Sequence, residues 1–148
     1  MKPKKKETCQ DLVGKKYNGR LADLESAYHY FTIEKKPARA AHHYHEDLKE
    51  YQDFFDYVNQ LGLCFEKIEA APELEPISPY KSYDYFRWQL SWGGPADEFR
   101  IYLTGDEKIE RVEYWYFDWF DAAHLKIEKL PGVLEETLEF LLEGSSNG

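Results

Sequence analysis

Between residues 85 and 128 apolar and polar side chains alternate with a period of two, and on both sides of that stretch the apolar positions recur every three or four residues. The first pattern belongs to pleated strands with one sealed face, the second to amphipathic helices. Phe86, Trp88, Leu90 and Trp92 fall on one side of a first strand, with Tyr85, Arg87, Gln89 and Ser91 on the other. Gly93, Gly94 and Pro95 turn the chain. Phe99, Ile101 and Leu103 then alternate with Glu98, Arg100 and Tyr102, and Gly105, Asp106 and Glu107 form a second turn. A third strand, Ile109 to about Trp119, sets Val112, Tyr114 and Tyr116 against Arg111, Glu113, Trp115 and Phe117. Being apolar on both sides toward its end, it belongs mid-sheet or under a covering element. Phe120 to Ala123 leads into a fourth strand, His124 to Glu128.

Before the strands, Leu21, Leu24, Tyr28 and Phe31 predict a short helix from Arg20 to about Ile33. Pro37 suits the first turn of a second helix, because its missing N–H needs no partner there. Leu48, Tyr51, Phe55, Val58 and Leu61 carry that helix over Ala38 to Leu61, whole or broken near His43, with Gly62 as its stop. Residues 63–69 have a mixed alternation that could add a strand. Pro72, Pro76 and Pro79 then make 70–79 a surface crossing. After Pro131, the stripe Val133, Leu134, Thr137, Leu138, Leu141 and Leu142 predicts a C-terminal helix with its glutamates outside. The expected fold is α+β: an antiparallel meander of about four strands over residues 84–128, with two N-terminal helices and one C-terminal helix packed on one face.

Composition narrows what such a fold could do. At 148 residues the chain is one domain's length, with residues 1–19 expected as a flexible basic lead-in, 20–144 as the domain and 145–148 as a frayed tail. The net charge is −9, but residues 1–20 carry seven Lys/Arg against two Asp/Glu, which leaves −14 on residues 21–148. That acidic body repels nucleic acid and anionic membrane, whereas Lys2, Lys4, Lys5 and Lys6 could touch an anion locally. Cys9 and Cys64 are too few for a disulfide framework, and no apolar run reaches the roughly 18 residues of a membrane span. The lysine-rich start lacks the apolar core of a secretory signal, so a cytoplasmic setting is expected.

Several chemical motifs dissolve on inspection. Gly14 to Leu21 is spaced like a phosphate-binding loop, but Arg20 and Leu21 stand where the lysine and the hydroxyl are required, and no apolar strand precedes them. His42, His45 and Glu46 would share a helix face, yet with His43 they supply no zinc spacing of three or four fixed ligands. Asp97, Glu98, Glu110, Glu113, Asp118 and Asp121 are plentiful carboxylates without the lysine that a nuclease strand pair carries. No activated serine or cysteine is recognisable. No catalytic residue, cofactor or metal ligand is therefore assigned.

What stands out instead is the polar side of the strands: Tyr85, Arg87, Gln89, Arg100, Tyr102, Arg111 and Trp115. Arginine interleaved with aromatics suits base stacking with phosphate contact, and equally a protein-binding hot spot. The acidic body favours protein. The expectation is a small, non-enzymatic, acidic cytoplasmic protein that binds another protein through this face or its acidic surface, as an inhibitor or accessory factor. Two alternatives are carried: a metal-dependent hydrolase or nuclease using the His/carboxylate groups, and single-stranded nucleic-acid binding through the sheet.

Overall fold

The computed structural model describes residues 7–34, 48–69 and 84–146. Two compact units are seen, one formed by residues up to Gly14 together with Leu63–Glu128, the other by Lys15–Gly62 together with the chain from Lys129.

The first unit is an antiparallel meander, β1 (Cys64–Ile68), β2 (Tyr85–Ser91), β3 (Ala96–Leu103), β4 (Ile109–Asp118) and β5 (Asp121–Lys126), with neighbours in sequence order. The fold is α+β, as expected, with five strands rather than four. The fifth is the edge strand β1, which sets Phe65 opposite Trp88 and Lys67 opposite Phe86. A lysine on the apolar side of an edge strand reaches water and pairs with Asp84 at 3.8 Å. This is why the alternation of 63–69 is mixed: an edge position tolerates, and is protected by, a charge that a central strand would exclude.

One face of the sheet is sealed. Trp88, Phe99, Ile101, Val112 and Tyr114 are buried on it, with Trp88 stacked on Phe99 at 5.8 Å and Phe99 edge-on to Tyr114 at 5.1 Å. Each side chain of this size stabilises the fold by roughly 1.5–3 kcal/mol when fully buried. A β-bulge between Gln89 and Ser91 corrects the expected facing at the end of β2. The extra residue turns Ser91 toward the sealed side, opposite Asp97, and leaves Trp92 exposed instead of buried. There Asp97, itself buried, accepts hydrogen bonds from Ser91 Oγ and from Tyr114 Oη at 2.6 Å. The β4–β5 connection is also tighter than expected. Only Trp119 and Phe120 separate Asp118 from its partner Asp121, so β5 begins before His124.

Helix α1 spans Cys9–His29 and continues into a π-helical turn, Tyr30–Glu34. The helix therefore starts well before Arg20 and takes in much of the expected lead-in. Its start is a reciprocal cap: Thr8 N–H donates to Asp11 Oδ2 at 3.0 Å, and Asp11 N–H donates to Thr8 Oγ1 at 3.3 Å. The bonds that Asp11 Oδ2 accepts, first from Thr8 N–H and then from Thr8 Oγ1, hold the Asp11 carboxyl below its ordinary range.

In the second unit, α2 is Phe54–Leu61, capped by Asp53, whose carboxylate accepts from Asp56 N–H at 2.8 Å. The expected helix from Ala38 is thus shorter among the described residues: Asp53 takes the extended conformation of a cap and starts a new helix there. His42, His43, His45 and Glu46 lie outside the described residues. Tyr28 meets Phe54 edge-on at 5.2 Å. Helix α3, Gly132–Ser146, buries Leu134, Thr137 and Leu138 and stacks Phe140 on Phe55 at 4.3 Å. No helix among the described residues is long and apolar enough to cross a membrane.

Candidate partner-binding face

The strand register gathers all seven candidate residues on the sheet face opposite the sealed one. Arg87 of β2 stands opposite Arg100 of β3, Tyr102 stands opposite Arg111 of β4, and Gln89 and Trp115 flank Glu98 from either side. Two arginines paired across strands repel unless each finds a carboxylate. Each does. Arg87 pairs with Glu66 of β1, Arg100 Nε donates to Glu98 Oε2 at 2.7 Å, and Arg111 pairs with Glu113.

Arg100 lies at the centre. Its guanidinium carbon is 3.9 Å from the Trp115 ring centroid, 5.0 Å from that of Tyr85 and 5.9 Å from that of Phe117. Trp115 continues the stack across β5, with His124 lying parallel at 4.2 Å and 14°. The result is a row of flat groups, Tyr85, Arg100, Trp115 and His124, running across four strands.

Glu113 is the buried hub beneath that row. Its Oε1 accepts from Trp115 Nε1 at 3.0 Å and from Tyr102 Oη at 3.2 Å, while Oε2 takes Arg111. Burial, then the Glu113 charge beside it, pushes the Tyr102 phenol up to about 12. Gln89 Oε1 accepts from Cys64 Sγ at 3.5 Å. The Arg87 Nε is buried without a hydrogen-bond partner, so only the far end of that guanidinium meets solvent or Glu66.

Beyond the seven candidates the face draws in Glu66, Glu98, Glu113, Phe117 and His124. Glu66 is invisible until residues 64–68 are placed beside β2. His124 becomes legible once the β4–β5 turn is shortened to two residues, because that register sets it opposite Trp115. The remaining carboxylates disperse. Asp97 is on the sealed side, and Asp118 and Asp121 flank the β4–β5 turn. Among the described residues no three His, Cys, Asp or Glu side chains are grouped to hold a metal ion.

Chemically, the face offers ordered aromatic planes and guanidinium edges whose charge is already balanced by carboxylates a few ångströms away. Tyr85, Arg87, Gln89, Arg100, Tyr102 and Trp115 are all half-buried, and Arg111 is exposed. Their mutual contacts hold these side chains in one arrangement, and prearranged groups need less ordering to make any contact. Comparison of the chain with protein-family models, with characterised proteins and with solved structures gives no significant match.

Proposed function

We propose that this chain is a non-enzymatic cytoplasmic protein that binds another protein through the arginine–aromatic face of its sheet, as an inhibitor or accessory factor. The observation that carries this reading is the Arg100–Trp115 stack tied to Glu98 and Glu113. It supplies the residue types that dominate protein interfaces, held in one geometry. The same balance of charge argues against a polyanion. A phosphate approaching Arg87, Arg100 or Arg111 would have to displace a carboxylate already in place, and that carboxylate would then repel it.

The test is affinity purification of tagged wild type beside the Arg87→Ala, Trp115→Ala double variant, with circular dichroism to confirm that the variant is folded. Loss of a specific co-purifying protein from the folded variant is expected; retention of every partner removes the face from the proposal. Stoichiometric zinc or manganese in the purified protein would point instead to hydrolytic chemistry.

A further inference from the structure

Among the described residues, four large apolar side chains are strongly exposed: Leu63 at 60%, Trp92 at 77%, Trp119 at 79% and Phe120 at 104%. They are far apart in sequence but share one end of the sheet. Leu63 immediately precedes β1, its N–H bonded to Gln89 O at 2.8 Å; Trp92 immediately follows β2; Trp119 and Phe120 are the β4–β5 turn. Scattered exposed hydrophobics need no explanation, but four at one end of a sheet, two of them adjacent in a single turn, call for one.

The turn is also built against its own folding. Trp119 has φ +56°, a left-handed conformation that crowds any side chain, and one that two-residue hairpin turns of this pattern give to glycine. Strain of this sort persists where the residue's identity serves something else. The ring is not loose either. It lies over Gly94, where an added Cβ would stand 3.4 Å from the indole Cε2. Trp119 is thus a positioned anchor, which a shaped protein cleft rewards and a fluid bilayer does not.

Charge narrows the partner. Asp118 and Asp121 flank the two aromatics, and no Lys or Arg occurs in residues 88–99 or 115–125. Acids beside the anchor oppose anionic lipid, and a net charge of −9 opposes a second copy of this chain. We propose that this end of the sheet is a second contact surface, distinct from the arginine–aromatic face, whose Trp119 and Phe120 seat in an apolar cleft of a protein partner edged by Arg or Lys. Lys2, Lys4, Lys5 and Lys6 precede Cys9, whose N–H is bonded to Asp121 Oδ2 at 2.8 Å, so the experiment must separate any contact of theirs from that of the aromatics.

The probe is a phage-displayed library of random 16-residue peptides, selected on the full-length protein. The comparison variant is Trp119→Gly with Phe120→Ser, which gives the turn a sequence better suited to its backbone, so its melting temperature is expected to be unchanged or higher. Selected peptides are expected to carry apolar residues flanked by Arg or Lys. They should bind the variant at least tenfold more weakly than wild type, lose affinity in high salt, and bind unchanged to a chain lacking residues 1–6. No enrichment, acidic consensus peptides, or equal binding to the variant would overturn the proposal. So would turn-dependent self-association in sedimentation equilibrium, or turn-dependent binding to phosphatidylcholine/phosphatidylglycerol vesicles. The folded Arg87→Ala, Trp115→Ala variant should leave peptide binding intact, so this surface and the sheet face fail separately.

Discussion

The guanidinium of Arg100 lies flat over Trp115, 3.9 Å from the ring centre, while its Nε–H is spent on the buried carboxylate of Glu98 at 2.7 Å. One side chain therefore answers two needs of the sheet: it neutralises a charge that has left water, and it covers an aromatic ring. Removing it exposes both at once. Arg100→Ala is expected to lower stability by about 2–4 kcal/mol, most of it from the orphaned carboxylate. Glu98→Gln in the same chain should recover part of the loss. In a double-mutant cycle with Trp115→Ala, read by urea denaturation, the stacking should appear as a coupling of about 0.5–2 kcal/mol. Additive single losses would mean that the contact contributes nothing.

On the sealed face the Asp97 carboxylate is held by Tyr114 Oη at 2.6 Å and by Ser91. Tyr114→Phe keeps the ring that packs on Phe99 and deletes only the donor. The expected cost is about 1–3 kcal/mol, the penalty for leaving a buried acceptor short of a partner. An equilibrium unfolding midpoint that does not move would show that the bond merely replaces one to water.

The strands were legible in the sequence because their period is two and their turns are short. Trp88, Phe99, Ile101 and Tyr114 could be placed on one face, and Arg87, Arg100 and Trp115 on the other, from alternation alone. What alternation cannot show is a bulge. The one extra residue between Gln89 and Ser91 reverses the facing of the last residues of that strand, and Trp92 goes to water as a result. Nor does alternation find Glu66, because its strand is an edge with a charged residue on each side.

The start of α1 was illegible for a different reason. The residues that recur at helical spacing there, Cys9, Val13, Tyr17 and Arg20, are small or polar-tipped, so the apolar stripe is faint although Cys9 and Val13 are buried. The readable signal was local: Thr8 followed three residues later by Asp11, an N-terminal cap that sets the helix boundary without reference to hydrophobicity.

Tyrosine ionisation should set the alkaline limit of stability. Tyr102, by burial and the Glu113 charge, and Tyr57, by burial and the Asp23 charge, are both pushed up to about 12, whereas an unfolded tyrosine titrates near 10. A raised folded pKa means that the native state holds its protons longer. The associated stability is complete below about pH 10 and is lost as pH rises toward 12. The melting temperature should fall through that window, and the fall should be shallower in Tyr102→Phe. Phenolate absorbance at 295 nm should show a late-titrating class that shrinks in the same variant.

The β3–β4 turn has its glycine in a position that does not need it. Glu107 N–H donates to Thr104 O at 2.9 Å and Thr104 N–H to Lys108 O at 2.8 Å, and Glu107 is the residue with left-handed backbone, at φ +62°. Gly105 is outside that region, and a Cβ there would meet nothing within 4 Å. Glutamate in the left-handed well costs roughly 1–2 kcal/mol relative to its preferred conformation, a cost that glycine avoids. A glycine at 105, meanwhile, loses backbone entropy on folding without using its freedom. Glu107→Gly and Gly105→Ala are therefore each expected to raise stability, by about 0.4–1 kcal/mol. Because the two positions act on different residues of the turn, their effects should sum in the doubly substituted chain. Differential scanning calorimetry should place its melting temperature several degrees above wild type, and a lower one would mean that Glu107 does not hold the left-handed conformation in solution.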